Sequence, residues 1–382
     1  MKIVQICPCP FPSLGGPAKT FQQFHEAVEL ETIAFVRPSD GRGEKAVVPI
    51  AVTVRTRDWP GVGHYYSASA CELKKAEVLV AQADCVFIHN FFLFPSIWTM
   101  RACRRHRVPY VIVLHGILDP WALRKSRVVK WLWLAWSGRQ VLRHAAAVLC
   151  ATQREREKAG MFFTDGQAHV VSWPCEIPDG AAVRLQRPRL RQQLGFSERD
   201  RVLIFLGRLH SMKRPVETVR LLAGLNEPRL KLLVVGPDWD VTRLLLEAEA
   251  RRLRWDGLRV VGPVFGAGKF DYLGAADGYI SLSHRENFNY TLAEAMGAGL
   301  PPILSAGNDL GWEFSEAGFS WQLRSYAPEE AAAAVREFLA VPDTELSRRG
   351  AAAREWVQLN LGSARFAGEL QRVIRRVAPP IE

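Results

Sequence analysis

Residues 283–303, SHRENFNYTLAEAMGAGLPPI, combine a polar turn, a helix pattern and a Gly/Pro break. The preceding residues 278–282, GYISL, are typical of a buried strand, so the polar turn leaves the carboxyl end of that strand. Thr291 and Glu294 fit a capping box, and the apolar spacing after them predicts a helix that ends at the Gly/Pro break. A strand, turn and helix in this order predict an α/β domain that binds its ligand at this edge of the sheet.

Two carboxylates lie in this stretch, Glu286 in the turn and Glu294 in the helix. The first helical turn, about residues 289–292, presents backbone N–H groups that attract phosphate, and carboxylates accept hydrogen bonds from vicinal sugar hydroxyls. Together these groups suit a nucleotide sugar. Taken alone, each glutamate has a simpler interpretation, since Glu294 can serve only to cap its helix and an exposed loop position is usual for Glu286.

The frame around the two glutamates, Ser-x-x-Glu-x-Phe-x5-Glu-Ala-Met-x-x-Gly-x-Pro, resembles the signature of the large family of retaining glycosyltransferases with the GT-B fold. The resemblance implies an α/β protein of two Rossmann-like doubly wound domains facing a cleft. It also implies that Glu286 contacts the donor sugar and Glu294 the nucleotide ribose. The sequence departs from the family at Asn287 and Asn289, where a small residue or glycine is usual, and either side chain would alter which sugar fits.

A second motif, Gly207-Arg208-Leu209-x-x-x-Lys213, follows the strand predicted at residues 201–206. Arginine as a fork and lysine as a point charge can close on one diphosphate, although basic pairs are also common on protein surfaces. The same order of residues is the second signature of the resembled family. The resemblance therefore implies that Arg208 and Lys213 stabilise the leaving nucleoside diphosphate.

Two features of the N-terminal half match the same family. Gly15-Gly16 precedes a helix predicted to begin at Pro17, and the resemblance implies that this pair approaches the donor diphosphate and the acceptor, although an ordinary turn explains it equally well. His115 follows the strand predicted at residues 110–114. A lone histidine is more often structural, but the resemblance implies that His115 contacts the sugar and orients the acceptor, without assigning it as a general base.

The resemblance thus implies a catalytic set and a donor-binding set. The catalytic set is His115, Arg208, Lys213 and Glu286. The donor-binding set is Gly15, Gly16, Arg208, Lys213, Val264, Glu286, Asn287, Phe288, Asn289, Tyr290, Thr291, Leu292 and Glu294, with Val264 in a loop that lies against the base in the family.

Strand and helix patterns alternate along the rest of the chain, which predicts mostly parallel sheets. Predicted strands cover residues 2–7, 31–36, 52–57, 85–89, 110–114 and 147–151, then 201–206, 231–236 and 258–262. The turn-rich, basic residues 170–191 are interpreted as a linker. We expect an acceptor-binding domain of residues 1–180, joined by the C-terminal helix 364–382, and a donor-binding domain of residues 181–363. Because no Gly-x-Gly-x-x-Gly fingerprint with a following acid is present, a dinucleotide oxidoreductase is disfavoured.

The amino-acid composition limits the kinds of partner that the protein is expected to bind. The 382 residues carry a formal net charge of +11, which suits a phosphorylated substrate, an acidic membrane surface or nucleic acid, and the last is disfavoured because no nucleic-acid-binding module is recognisable. Seven cysteines without a Cys-x-x-Cys pair indicate neither a disulfide framework nor a zinc site, and fit a reducing cytoplasm. The N-terminal apolar run is broken by prolines, unlike a signal peptide, and any membrane contact is expected to be peripheral.

A segment rich in tryptophan and basic residues follows His115. Trp131, Trp133 and Trp136 lie in a run, residues 128–136, whose apolar side chains surround the whole helix axis, and this pattern favours burial within the N-terminal domain. Tryptophan with basic side chains is also what an anionic headgroup layer attracts. The candidate contacts for a membrane or an anionic acceptor are Trp121, Arg124, Lys125, Arg127 and Lys130.

The resemblance implies a retaining, metal-independent enzyme that moves a hexose from a UDP- or GDP-sugar to a glycan or lipid-linked acceptor in cell-surface polysaccharide or lipopolysaccharide synthesis. We expect no cofactor and no metal, since Arg208, Lys213 and helix N-termini can stabilise the departing charge. Localisation is expected in the cytoplasm or at the inner face of the plasma membrane. The alternatives are a non-catalytic nucleotide-sugar-binding subunit of a polysaccharide assembly complex, or a GT-B sugar-nucleotide epimerase.

Overall fold

The computed structural model describes residues 1–37, 39–41, 43–59, 63–89, 91–124, 126–264 and 266–378, with only the backbone of residues 57–59 and 63–67. It divides into two compact units. The first contains Met1–Pro174 and the C-terminal segment from Ser363 onward, and the second contains Cys175–Gly362. The sequence pattern had placed the boundary near residue 180.

The first unit is a twisted sheet with helices on its faces. Its strands are β1 (Ile3–Pro8), β2 (Glu31–Val36), β3 (Val52–Trp59), β4 (Gly63–Ala68), β5 (Cys85–His89), β6 (Tyr110–Val113), β7 (Ala147–Cys150) and β8 (Ala168–Val170), in the spatial order β4-β3-β2-β1-β5-β6-β7-β8. Neighbouring strands pair parallel, whereas β3 and β4 pair antiparallel. All six residues of β1 are buried, as expected for a central parallel strand covered on both faces.

Helices cover both faces of this sheet. They are α1 (Gly16–Ala27), α2 (Ala70–Ala81), α3 (Phe94–His106), α4 (Pro120–Arg124), α5 (Arg127–Trp133), α6 (Arg139–Arg143) and α7 (Gln153–Ala159). The strands predicted at residues 31–36 and 85–89 are confirmed, because continuous β-branched and aromatic runs of this length form buried strands.

The second unit is also a parallel α/β sheet. Its strands are β9 (Arg201–Leu206), β10 (Leu230–Val235), β11 (Leu258–Val261), β12 (Gly278–Ser281), β13 (Pro302–Leu304) and β14 (Trp321–Gln322), in the order β11-β10-β9-β12-β13-β14. Its helices are α8 (Gly180–Leu185), α9 (Arg187–Leu194), α10 (Pro215–Gly224), α11 (Arg243–Arg252), α12 (Gly268–Ala275), α13 (Tyr290–Gly297), α14 (Pro328–Ala340) and α15 (Asp343–Asn360). The expected fold class of two Rossmann-like units is confirmed.

The last helix, α16 (Ser363–Val377), belongs to the first unit. Its buried residues Phe366, Leu370, Val373 and Ile374 follow the spacing of one helical face. The Phe366 ring packs edge-on against Phe24 of α1, with 5.3 Å between ring centroids.

The prediction of a linker over residues 170–191 is wrong at its basic end, where α8 and α9 lie. Asp179 caps α8 by accepting a hydrogen bond from the amide of Ala181. Arg191 of α9 is 1% exposed and donates to the carbonyls of Ser197 and Asp200. Residues that resemble a solvated linker in the sequence therefore hold the helix against its unit.

Asp277, just before β12, balances this buried charge. Its carboxylate pairs with Arg187 and Arg191 and accepts a hydrogen bond from the amide of Val202. In Asp277→Ala we expect a loss of about 3 kcal/mol, or roughly 5–10 °C in Tm, because the buried guanidinium loses its counter-ion. Calorimetric unfolding of the purified variant measures both the loss of stability and the fall in Tm.

Asp343→Ala provides the matched control. Asp343 pairs with Arg201 at 2.6 Å, but its side chain is 88% exposed, and such a pair contributes about 1 kcal/mol or less. Equal losses in the two variants would contradict the assignment of the stabilisation to burial.

Candidate functional site

The strand order of the second unit reverses direction between β9 and β12. β10 pairs with one edge of β9 and β12 with the other, all parallel. Such a switch point opens a crevice at the carboxyl ends of the two strands, where α/β sheets bind ligands. Gly207 and Arg208 follow β9 directly, and the turn that carries Glu286 follows β12. The topology therefore brings the two predicted signatures to the same place.

Lys213 and Glu286, one residue from each signature, form an ion pair in this crevice. Lys213 Nζ donates a short hydrogen bond to Glu286 Oε1, and Ser283 Oγ donates to the same oxygen at 3.2 Å. Burial is the largest single effect and lowers the pKa of Lys213, but the charge of Glu286, the neighbouring Tyr279 and the hydrogen bond to Glu286 together raise the pKa overall. Lys213 is therefore a charged ammonium, and an anionic ligand can compete with Glu286 for it.

Arg208 adds a second positive charge. Its charge is near enough to oppose the protonation of Lys213, and its exposed side chain places the guanidinium carbon 5.0 Å from the ring centroid of Trp239. This cation–π contact holds the guanidinium at the rim of the crevice. Sequence reasoning missed Trp239, although an aromatic residue in the loop after β10, the strand that follows the Arg208 signature in the chain, was a possible signal.

The loop that carries Glu286 is held by a buried amide, Asn308, which is fully buried. Asn308 Oδ1 accepts hydrogen bonds from Asn289 Nδ2 at 3.0 Å and from Ser281 Oγ at 3.2 Å, while its Nδ2 donates to the carbonyl of Ser281 at 3.0 Å. The backbone adds a bridge, since the amide of Glu286 donates to Gly307 O at 2.7 Å. Two loops are therefore joined into one rigid support for Glu286.

The capping box predicted at Thr291 and Glu294 is wrong. The N-cap of α13 is Asn289, whose Oδ1 accepts hydrogen bonds from the amide of Leu292 at 3.3 Å and from Thr291 Oγ1 at 2.9 Å. Because Asn308 and Tyr279 hold the Asn289 side chain, its oxygen is presented to the helix start. Thr291 consequently lies inside the first turn rather than before it.

Glu294 has a different partner from the one its spacing suggests. It is buried in α13, and its Oε1 accepts a hydrogen bond from Lys269 Nζ of α12 at 2.8 Å. Lys269 also lies 3.5 Å from Glu176. Burial lowers the pKa of Lys269, but Glu294 and Glu176 outweigh that effect and raise the pKa overall. Lys269 is thus a functional candidate that sequence reasoning missed, since its contact with Glu294 depends on the packing of two helices.

The other predicted residues of the second unit surround this site. The rings of Phe288 and Tyr290 pack edge-on at 4.9 Å between centroids, and Leu292 is fully buried. Asn287 Oδ1 is buried and has no hydrogen-bond partner among the described residues. Val264 lies in the loop between β11 and α12 and is partly exposed. Among them, Asn287 presents the unsatisfied polar atom, which a ligand could satisfy.

In the first unit, Gly15 and Gly16 lie where α1 begins. Gly15 has φ 77°, a conformation that favours glycine, and a Cβ built there meets no atom within 4 Å. Gly16 is the first residue of the helix, with Pro17 next to it in the first turn. The backbone at this position can be approached closely, as the predicted role requires.

His115 is coupled to a second histidine that sequence reasoning missed. His115 has φ 55° after β6, and its Nε2 lies 3.1 Å from Nδ1 of the buried His89 at the end of β5. Burial lowers the pKa of His115 to about 4, and burial with the neighbouring His115 lowers the pKa of His89 further. Both rings are neutral, so one nitrogen donates and the other accepts. Two histidines at the ends of adjacent predicted strands were a usable signal.

The expected burial of the tryptophan run is wrong. Only Trp133 of this described run is buried, whereas Trp131 is 64% and Trp136 77% exposed. The apolar residues surround the axis as predicted, but α5 lies at the surface of the unit and only Trp133 of its described residues is buried in the core. Trp121, Arg124 and Arg127 are exposed, and Lys130 donates to the carbonyl of Ala122 at 2.5 Å. Lys125 lies outside the described residues.

Within the described ranges, no group of three or more metal-ligating side chains comes together. None of the described helices combines the length and apolar character that crossing a bilayer requires.

Two family comparisons cover most of the chain. Residues 15–174 match the glycosyl transferase 4-like domain, and residues 186–356 match the glycosyl transferases group 1. Fold and site thus define a glycosyltransferase of the GT-B type. The two matches together show that the chain belongs to the GT-B glycosyltransferases of the GT4-type family that the signature indicated.

Relatives show the range of this family. The chain is 23% identical over 320 residues to the GDP-mannose:cellobiosyl-diphosphopolyprenol alpha-mannosyltransferase of Xanthomonas oryzae pv. oryzae, with 80% of this chain and 78% of the relative covered. It is 30% identical over 177 residues to a D-inositol 3-phosphate glycosyltransferase of Actinosynnema mirum, with 44% of this chain covered. That match spans 42% of the length of the relative.

Solved structures share the fold. Anabaena HepE in complex with UDP has a TM-score of 0.77 at 16% identity, with 97% of this chain and 99% of that chain covered. Sucrose-phosphate synthase of Thermosynechococcus elongatus has a TM-score of 0.72 at 18% identity, with 98% of each chain covered.

The support of the Glu286 loop can be tested with Asn308→Ala. We expect a loss of about 3 kcal/mol, because the buried hydrogen bonds that Asn308 makes to Asn289, Ser281 and Ser305 are all lost together. Hydrogen exchange of residues 283–289 should rise with the fall in Tm. Asn360→Ala is the control, since the half-buried Asn360 donates to the Trp356 carbonyl at a helix end. Unchanged exchange in the Asn308 variant would contradict the support.

Proposed function

We propose that this protein is a retaining, metal-independent glycosyltransferase that moves a hexose from a nucleoside diphosphate sugar to a glycan or lipid-linked acceptor in cell-surface polysaccharide synthesis. The observation that carries the proposal is the ion pair between Lys213 and Glu286 at the switch point, beside Arg208. A cation pair suits a diphosphate, and the carboxylate suits sugar hydroxyls. Both chemistries meet at the carboxyl ends of β9 and β12.

The ion pair is the resting state of the proposed site. A diphosphate entering the crevice takes over Lys213, and Arg208 binds the same group as a fork. Glu286 then loses its counter-ion and accepts hydrogen bonds from the sugar hydroxyls. Because Lys213 is charged before the donor arrives, no proton has to move when the donor binds.

Transfer proceeds on one face of the sugar. The bond between the anomeric carbon and the phosphate oxygen breaks, and the bond from the same carbon to the acceptor oxygen forms on the face that the phosphate leaves. The acceptor hydroxyl gives its proton to the departing phosphate oxygen. Arg208 and Lys213 stabilise the negative charge that develops on the diphosphate, which is the contribution a divalent ion would otherwise make. The role predicted for His115 stays a prediction.

Glu294 is proposed to hold the nucleotide ribose. Lys269 would then release one oxygen of the Glu294 carboxylate. The names of the relatives point to GDP-mannose in one case, and the HepE complex contains UDP, so both nucleotides are candidates. A lipid-linked acceptor is supported by the cellobiosyl-diphosphopolyprenol in the name of the same mannosyltransferase. Thermal shift with UDP, GDP and ADP selects the base, since a ligand of the native state raises Tm.

Substitutions of Lys213 and Glu286 distinguish the role of the ammonium from that of the carboxylate. In Lys213→Gln we expect the affinity for the preferred nucleoside diphosphate to fall by roughly tenfold to a hundredfold, because a charge-assisted hydrogen bond is lost. In Glu286→Gln the same affinity should be kept or increased, since Lys213 is freed, while transfer slows by about a hundredfold or more. Calorimetric titration and a donor-consumption assay measure these effects.

Arg243→Gln is the matched control, because this exposed arginine pairs only loosely with Glu247 at 4.0 Å. It should leave nucleotide binding and transfer unchanged. If Glu286→Gln weakened nucleotide binding as strongly as Lys213→Gln, the two residues would not act on separate groups of the donor. Nucleotide binding with no turnover on any acceptor extract would instead favour the non-catalytic subunit.

Metal independence has its own test. Transfer should continue at its full rate in excess EDTA, because the proposed charge stabilisation comes from side chains. Restoration of a lost rate by added Mg²⁺ or Mn²⁺ would overturn this part of the proposal.

A further inference from the structure

The first unit presents an exposed apolar ridge, formed by Val128, Val129, Trp131, Leu132 and Trp136. The most exposed members are Trp136 at 77%, Val128 at 70% and Trp131 at 64%. Single apolar side chains are normal on a protein surface, but a continuous group that includes two tryptophans marks an interaction surface. The mechanism proposed above uses none of these residues.

The helix that carries the ridge is attached to the unit through the buried Trp133. Trp133 packs edge-on against Phe91 and Phe92, with ring centroids 4.6 and 5.1 Å apart. Residues 134–138 then form a π-helical turn, and a Cβ at Gly138 would approach the Trp133 ring to 2.2 Å. The unit therefore buries one tryptophan of the segment tightly and leaves its neighbours in solvent.

Positive charge surrounds the ridge. Arg124, Arg127, Arg139 and Arg143 are exposed on the helices that carry or flank it. No acidic residue occurs in the sequence between Asp119 and Glu155. This stretch therefore combines exposed aromatic side chains with basic ones and no acidic ones, which is the composition that an anionic lipid layer favours.

We infer that the apolar ridge and its arginines form a peripheral docking surface for an anionic phospholipid membrane. Val128, Trp131 and Trp136 enter the headgroup and acyl boundary, and the arginines contact lipid phosphates. A membrane fits better than a protein groove because the exposed apolar side chains lie beside exposed arginines of the neighbouring helices, and an anionic lipid layer offers an acyl region to the first and phosphates to the second.

This inference stands apart from the proposed reaction, because vesicle binding needs neither donor nor acceptor. The experiment is flotation of the full chain with phosphatidylcholine vesicles, with and without phosphatidylglycerol, at low and high salt. We expect binding to the anionic vesicles at low salt, weakened several-fold by high salt because exposed charges are screened. Vesicles of phosphatidylcholine alone should bind much more weakly.

Substitutions separate the apolar contribution to vesicle binding from the electrostatic one. Trp131→Ser with Trp136→Ser should lower the partition coefficient by about tenfold or more, since two large apolar side chains no longer leave water. Arg127→Gln with Arg139→Gln should weaken the salt dependence and the preference for anionic lipid, since two of the four arginines remain. Met161→Ser is the matched control, because Met161 is 85% exposed in the same unit and lies outside the ridge. It should bind vesicles like the unchanged protein.

A direct readout is quenching of tryptophan fluorescence by brominated lipids. The unchanged protein should be quenched on binding, and Trp131→Leu with Trp136→Leu should still bind with much less quenching. The Tm increase produced by the preferred nucleotide should persist in every variant, which reports separately on the fold and the donor site. Failure to bind anionic vesicles overturns the inference. A dimer in solution that Trp131→Ser with Trp136→Ser dissociates also overturns it, in favour of a second copy of the chain.

Discussion

The candidate site depends on a buried amide. Asn308 contributes no charge and no chemistry, yet it joins the end of β12, the N-cap of α13 and the loop after β13 through hydrogen bonds of 3.0 to 3.2 Å. Because buried polar groups need hydrogen-bond partners in a low-dielectric interior, this network favours one arrangement of the turn. Glu286 projects from that turn. Its position is therefore set in part by the buried groups of this network.

The two units use polar pairs in different ways. In the second unit, Lys213 and Glu286 are both charged and partly accessible, so their pairing is an equilibrium that a stronger anion can shift. In the first unit, burial lowers the pKa values of His89 and His115, and the pair is a fixed contact between neutral rings. Phe21 and Phe24 enclose the His89 ring at centroid distances of 4.9 and 4.8 Å. The histidine pair therefore carries no charge that it could exchange near neutral pH.

A structural feature can be predicted from the sequence when the residues that form it are close together in the chain. Continuous apolar runs predicted the central strands, and the two signatures predicted Lys213 and Glu286, because these patterns are local in the chain. Asn308 and Lys269 escaped prediction, since their partners are brought near by the packing of separate elements. The basic residues of α9 were misinterpreted as linker for the same reason. Arg191 is buried beside Asp277, which is far away in the sequence.

The tryptophan run shows a further limit of sequence patterns. An apolar helix surface indicates that its side chains are removed from water. It does not indicate whether they pack in the core of the protein or against another surface. Here the core has room for Trp133 between two phenylalanines, and the extra residue of the π-helical turn directs Trp136 away from it. Folding alone gains nothing from leaving Trp131 and Trp136 in water, since burying such a side chain contributes about 2 kcal/mol or more. Their exposure therefore finds its explanation outside the folded unit, in a surface that the chain meets after folding.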